Sequence, residues 1–202
     1  MPKSPNFTTF QPAGSDIDGF PVVERRLSQL DKVFAEPDAF AKTLVAQENP
    51  RVYTVSSVAP AEGDGQLHYG LGKIMPGKVG QEYFMTRGHY HEWREAAEIY
   101  IGLSGTGYML LETENSDDGQ LIPLIPNSIV YVPGFTAHRT INTGHAPLTY
   151  LGIYPANAGH DYGSLAQSNF RHVVVEENGA PTLLRRTDYL AQLKAKNEVA
   201  TP

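Results

Sequence analysis

The chain has 202 residues, 41% of them hydrophobic and 19% charged, with a formal net charge of -6; this suits one soluble globular domain and excludes a disordered chain and a nucleic-acid partner, which needs clustered Lys and Arg. Cysteine is absent, so disulfides, thiolate chemistry and zinc fingers are excluded, and any metal must be held by nitrogen and oxygen. No apolar run is long enough to span a membrane, and "MPKSPNFTTFQPAGSD" lacks the apolar stretch of a secretory signal, so a cytoplasmic protein without a membrane partner is expected.

In chain order, an irregular start leads into "EPDAFAKTLVAQENP", where Pro37 opens a short helix, Phe40 and Leu44 share a face, and Asn49 and Pro50 stop it. From Arg51 the pattern turns to β: "RVYTVSSV", "QLHYGLGKIM", "QEYFMT", "AEIYIGL", "GYMLLET", "QLIPLI", "SIVYVP", "AHRTIN" and "LTYLGIYP" are short, β-branched or aromatic, and bounded by Gly, Pro, Asn or Asp. So many short strands predict an antiparallel sandwich or barrel. "RHVVVEENG" reads as a further strand, with Asn178-Gly179 turning it into "APTLLR". The ending "TDYLAQLKAKNEVATP" predicts a short helix capped by Thr187 or Asp188, with Leu190 and Leu193 inward and frayed last residues. One domain follows: an extension over 1–50, a barrel over 51–178 and a tail over 179–202.

Within "TRGHYHEWREAAEIYIGLSGTG", His89 and His91 are one residue apart. On a helix they would point about 200° apart, whereas on a strand they share a face and can chelate. Glu98 follows at an odd separation, so the chain must turn between them. "EIYIGL" then presents Glu98, Tyr100 and Gly102 on one face and Ile99, Ile101 and Leu103 on the other. In "NSIVYVPGFTAHRTIN", Pro133-Gly134 reads as a turn and His138, Thr140 and Asn142 alternate on the next strand. Three imidazoles and one carboxylate would leave coordination positions open, as a catalytic site requires. Lys73, Lys78, Arg87 and Arg94 around the pair allow a small anionic ligand.

These stretches resemble the two cupin motifs, the first through His89, His91, Glu98 and Gly105, the second through Pro133, His138 and Asn142. Asn127 stands where the opening Gly is usual, and Gly134 follows the proline directly. "PGKVGQEYFMTRGHYH", "AEIYIGLSGTGYMLLE", "VYVPGFTAHRTIN" and "IYPANAGHDYG", with "RRLSQL" and "NPRVYTV", are similar to the cupin-type phosphoglucose isomerases known mainly from archaea, over most of residues 24–178. The resemblance implies an all-β cupin antiparallel barrel, a jelly roll with short helical segments near both ends, acting as a homodimer on a phosphorylated hexose and interconverting glucose 6-phosphate and fructose 6-phosphate. It implies one divalent metal on His89, His91, Glu98 and His138, Fe(II) first and Mn, Zn, Ni or Co as alternatives. It assigns Tyr53, Thr86, Arg87 and Gly88 to the phosphate, and Glu98, Tyr100, His160 and Tyr162 to catalysis around the sugar. Gly72 departs from the archaeal relatives, which tend to carry a phosphate-binding Thr there, and backbone N–H groups are the substitute donors considered.

The isomerisation moves a hydrogen between C2 and C1 and a proton between O1 and O2. Glu98 is the base for an enediol route, and a hydride shift is the other route. A mannose 6-phosphate isomerase, a metal-cupin dioxygenase and a non-catalytic sugar-binding cupin are the alternatives.

Overall fold

The computed structural model describes residues 6–166 and 168–199. In chain order it contains β1 (Val22–Arg26), a 3-10 turn (Leu27–Leu30), α1 (Pro37–Ala46), β2 (Arg51–Val58), β3 (Leu67–Ile74), β4 (Lys78–Val79), β5 (Glu82–Tyr83), β6 (Glu98–Ser104), β7 (Gly107–Thr113), β8 (Gly119–Leu124), β9 (Ile129–Val132), β10 (Thr136–Asn142), β11 (Leu148–Pro155), β12 (His172–Glu177), β13 (Ala180–Arg185) and α2 (Arg186–Val199). The strands pair antiparallel in three sheets, ordered β1-β2-β3-β11-β6-β9, β10-β7-β8 and β13-β12-β5-β4. This is the all-β cupin arrangement, with one helix before the main strands and one after them.

The main core lies where these sheets face one another, and Leu71, Ile74, Phe84, Met85, Met109, Leu110, Leu124, Ile141 and Phe170 are among its fully buried side chains. Each such side chain contributes about 1.5–3 kcal/mol by leaving water. α1 begins on Pro37, carries Asp38 in its first turn and packs Phe40 and Leu44 on that core. It ends at Ala46, and just beyond it Glu48 and Asn49 both lie in the left-handed region at φ 52 and 56.

Four local features differ from the sequence reading. The sheet begins earlier, because Val22–Arg26 pairs with β2; β1 is a largely exposed edge strand, so its residues show no apolar alternation. "QEYFMT" yields only the two-residue β5, after which the chain makes isolated bridges from Met85 to Ile141 and from His89 to His138. α2 starts at Arg186, which places Thr187 and Asp188 inside its first turn rather than at a cap. Tyr189 is its buried residue while Leu190 is 42% exposed, and Leu193 does pack inward. Residues 200–202, expected to fray, lie outside the described residues.

β6 inverts the usual amphipathic rule. Glu98, Tyr100 and Gly102 face the interior, and Ile99 is 38% exposed. A face that hides a carboxylate and a phenol while exposing an isoleucine has been shaped by what the interior must hold.

Candidate metal centre

The strand pairing brings the four candidate ligands together. His89 bridges His138 across the gap between the 85–91 segment and β10, His91 follows two residues on, and β6 supplies Glu98. The ring centroids lie 4.4 Å apart for His89 and His138, 5.2 Å for His91 and His138, and 5.6 Å for His89 and His91. One donor atom from each of the four residues falls within 4.8 Å of every other.

The imidazoles are oriented from behind. His91 Nδ1 stands 3.0 Å from the Ala96 carbonyl and His138 Nδ1 stands 3.1 Å from the Thr136 carbonyl. A carbonyl can only accept, so each Nδ1 carries a proton and each ring turns its Nε2 toward the centre. His89 Nε2 and His138 Nε2 are buried with no hydrogen-bond partner. His138 Nε2 does lie 3.1 Å from Glu98 Oε2, and His91 Nε2 lies 3.2 Å from the same oxygen. The His138 contact is close without hydrogen-bond alignment, as suits two atoms aimed at a common third. Buried polar atoms left this way cost free energy unless a cation satisfies them, so the donor set fits a divalent metal of the Fe, Mn, Co, Ni or Zn kind.

Electrostatics agree with that fit. Burial would raise the Glu98 carboxyl, but His138 and His91 outweigh it and hold it at about 2. Burial, then the neighbouring His138, His160 and His91, pushes His89 well below its usual value. The Tyr100 phenol is driven well above its range by burial and then by Glu98, to which it is hydrogen-bonded. Burial disfavours charge on His91, but Glu98 and the Ala96 carbonyl outweigh it and raise that imidazole above its usual value; ligation takes the neutral imidazole and the ionised carboxylate, so a metal would displace a proton on binding here.

The centre closes one end of a cavity of about 640 Å³, a size that suits a small phosphorylated metabolite. Tyr53, Thr86, Arg87, Gly88, His89, Glu98, Tyr100, His138, His160 and Tyr162 all line it, while His91 reaches the ligand group from its edge. Arg25 and Arg87 make the end around Tyr53 and Thr86 basic. There the Arg87 carbonyl accepts from Arg139 Nη2 at 2.6 Å. A planar trans peptide directs its N–H opposite to its carbonyl, so the Gly88 N–H points away from Arg139. Gly88 sits at φ 77, and a Cβ there would strike the Phe170 ring and Arg139, which explains the glycine.

Over the metal end, His160 and Tyr162 stack with ring planes 9° apart, and the His160 ring lies 4.5 Å from that of His89. Their segment is fastened at Asp161. Its backbone bridges Tyr90, and its carboxylate takes Arg94 Nη2 at 2.6 Å while Arg94 Nε holds Glu114 at 2.6 Å. Ser164, then Arg94, holds the Asp161 carboxyl well below the usual range. The Arg94 guanidinium also donates to the His91 carbonyl, so one side chain ties the ligand segment to the loop above it.

Sequence reasoning missed Arg25, Gln29, Tyr150, Tyr154 and the buried Arg139, which line or support the cavity. Tyr150 and Tyr154 alternate on β11 and could have been found by asking which face of "LTYLGIYP" meets Glu98. The Asn127 departure is accommodated, since Asn127 sits at φ 67, a conformation Asn tolerates.

A family model described as Glucose-6-phosphate isomerase (GPI) matches residues 24–192. Curated proteins named glucose-6-phosphate isomerase are similar: one from Pyrococcus horikoshii is 45% identical over 163 residues, 81% of this chain and 85% of its own. One from Thermococcus kodakarensis is 43% identical over 84% of this chain and 92% of its own. A bacterial one, from Sinorhizobium medicae, is 33% identical over 84% and 83%. Among solved structures, Bacillus subtilis oxalate decarboxylase superposes on 54% of this chain with TM-score 0.42 and 19% identity, using 27% of its own length.

Proposed function

Because the chain belongs to the cupin-type glucose-6-phosphate isomerase family, we propose that it interconverts glucose 6-phosphate and fructose 6-phosphate at a divalent metal held by His89, His91, Glu98 and His138. The observation that carries this reading is the convergence of four ligand atoms within 4.8 Å at one end of a cavity whose other end is basic. Such a cavity seats an anionic phosphate at one end of a sugar while its reacting carbons meet the metal at the other.

The metal, when bound, polarises the carbonyl and stabilises the oxyanion charge that develops during the reaction. Fe(II) is the first choice, with Mn, Zn, Ni or Co also suited to the donor set. Glu98 turns Oε2 toward His91 and His138, and Oε1 faces Gly152 on the cavity wall. That oxygen, turned away from the imidazoles, is the base for moving the proton between C2 and C1. Tyr100, protonated and hydrogen-bonded to Glu98, keeps the carboxylate in place. His160, held toward its neutral form mainly by burial, accepts or returns the oxygen proton with Tyr162 beside it. At the basic end Arg87, Tyr53, Thr86 and the Gly88 N–H hold the phosphate.

We also propose a cytoplasmic homodimer. β1 is a free edge of the six-stranded sheet, and Val22 and Val23 on it are 38% and 48% exposed, an edge that pairing would cover. No helix among the described residues is long and apolar enough to cross a membrane.

The test is conversion of fructose 6-phosphate after EDTA treatment and after return of Fe(II), Mn(II), Zn(II), Ni(II) or Co(II), with His138→Ala alongside. Activity that vanishes on chelation, returns with metal and is absent in the variant supports the proposal. A metal-loaded protein without turnover sinks it, and mannose 6-phosphate turnover, oxygen uptake or binding alone would then identify the alternative.

A further inference from the structure

Gly72 and Tyr150 have no role in the reading above, yet both line the cavity. They oppose each other directly in the β3–β11 ladder, so their side-chain directions leave the sheet on one face. A Cβ on Gly72 would stand 2.3 Å from Tyr150 Cζ and 2.5 Å from its hydroxyl oxygen. The phenol therefore lies across the glycine and fills the space that a side chain at position 72 would occupy. Gly72 is not at a positive φ, so the missing side chain answers to the ring above it and not to a turn.

The ladder fixes where that hydroxyl stands. Gly152, which faces Glu98 Oε1, opposes Gly70; two residues further along β3, Gly72 opposes Tyr150, and two beyond, Ile74 opposes Tyr53 of β2. Each step of two residues advances about 6.8 Å. The phenol thus stands between the ligand carboxylate and the basic end. Its ring is 5.3 Å from that of Tyr100.

The hydroxyl is a proton donor. Burial, above all, keeps the Tyr150 phenol far above its usual range; Thr140 acts the other way, and the nearby Tyr53 and Glu98 add to the rise. The Thr140 hydroxyl donates to Met109 Sδ at 3.1 Å. The protonated phenol lines the cavity, so its proton is available to a bound ligand.

We infer that Tyr150 is a substrate-contacting, specificity-determining residue whose hydroxyl, carried across Gly72, donates a hydrogen bond to the phosphorylated end of the sugar. The inference rests on the sugar-phosphate reading of the cavity. It gives the chain a side-chain donor on the wall where Gly72 offers none.

The experiment compares metal-loaded wild type with Tyr150→Phe and Gly72→Ala, measuring KM and kcat for fructose 6-phosphate, its Kd by calorimetry, metal content and melting temperature. Tyr150→Phe keeps the ring and removes only the donor. We expect KM and Kd to rise about tenfold or more, as for a lost hydrogen bond to a charged group, with kcat within about twofold and metal content unchanged. Gly72→Ala, by displacing the ring, should raise KM in the same direction. A Tyr150→Phe variant with wild-type KM and Kd overturns the inference, and so does one whose loss appears only in kcat or travels with lost metal. A wild type that binds fructose 6-phosphate without turning it over overturns the isomerase reading alone, provided Tyr150→Phe still weakens that binding. A wild type that binds no sugar phosphate overturns both.

Discussion

Gly152 lies directly beneath Glu98: a Cβ built on Gly152 would stand 2.9 Å from Glu98 Oε1. A terminal carboxylate oxygen can usually swing away from such a contact, but Glu98 is held by His91, His138 and Tyr100. Gly152→Ala should therefore move the carboxylate off its position and weaken metal binding about tenfold, the loss typical of disturbed support around a ligand. Metal titration of the chelated variant checks this. Wild-type affinity would mean that Glu98 has slack in this cage, or does not ligate.

Arg94 joins the His91 carbonyl, Glu114 and Asp161. Replacing it with Ala should leave all four metal ligands intact while freeing the loop that carries His160 and Tyr162. Loosely held catalytic groups cost about tenfold to a hundredfold in rate. The expected result is a fall in kcat with metal stoichiometry unchanged. A variant with wild-type kcat would show that the loop keeps its position without the clamp.

At the basic end, Arg87 reaches the Gln29 carbonyl at 2.9 Å, and its guanidinium lies 5.9 Å from the centroid of the Tyr162 ring. It is exposed, so its attraction for a phosphate is screened by salt. Arg87→Ala should raise KM by about three- to tenfold at low salt, leave kcat unchanged, and flatten the rise of KM with ionic strength. An equal salt dependence in wild type and variant would remove Arg87 from the phosphate end.

The parts of this site legible in the sequence are those in which one strand carries the information. Glu98 and Tyr100 could be placed inward because alternation on "EIYIGL" leaves only two choices, and the His89–His91 spacing has chelating sense only on an extended chain. β1 escaped because an exposed edge strand needs no apolar period. The Arg94–Asp161 clamp and the Gly72–Tyr150 contact escaped because each joins residues more than sixty apart in sequence, through a fold whose register no local pattern states. In α2 the same limit appears at small scale: the period allowed either Tyr189 or Leu190 inward, and Glu36, which accepts from the Tyr189 hydroxyl, settles it for the tyrosine.

Glu82 offers a pH-dependent test of the support behind the cavity. It is fully buried, with Oε2 accepting from the Ala35 N–H and Oε1 without a partner. Burial, only partly offset by the Ala35 N–H, Arg186 and Arg139, raises its carboxyl from 4.5 to about 7. The folded protein therefore holds this proton more tightly than the unfolded chain does. The resulting stability is fully present below pH 4.5 and is lost as pH rises through about 7. A shift of this size corresponds to roughly 3 kcal/mol. Wild-type protein should thus lose stability at this site between pH 5 and pH 8, while Glu82→Gln, neutral throughout, should show a flatter profile and exceed wild type at pH 8. Denaturant melts of both proteins at pH 5, 6, 7 and 8 check the sign. Parallel profiles would mean that Arg139 and Arg186 keep Glu82 ionised in the folded state, making it a partner of the cation that fixes the Arg87–Gly88 peptide.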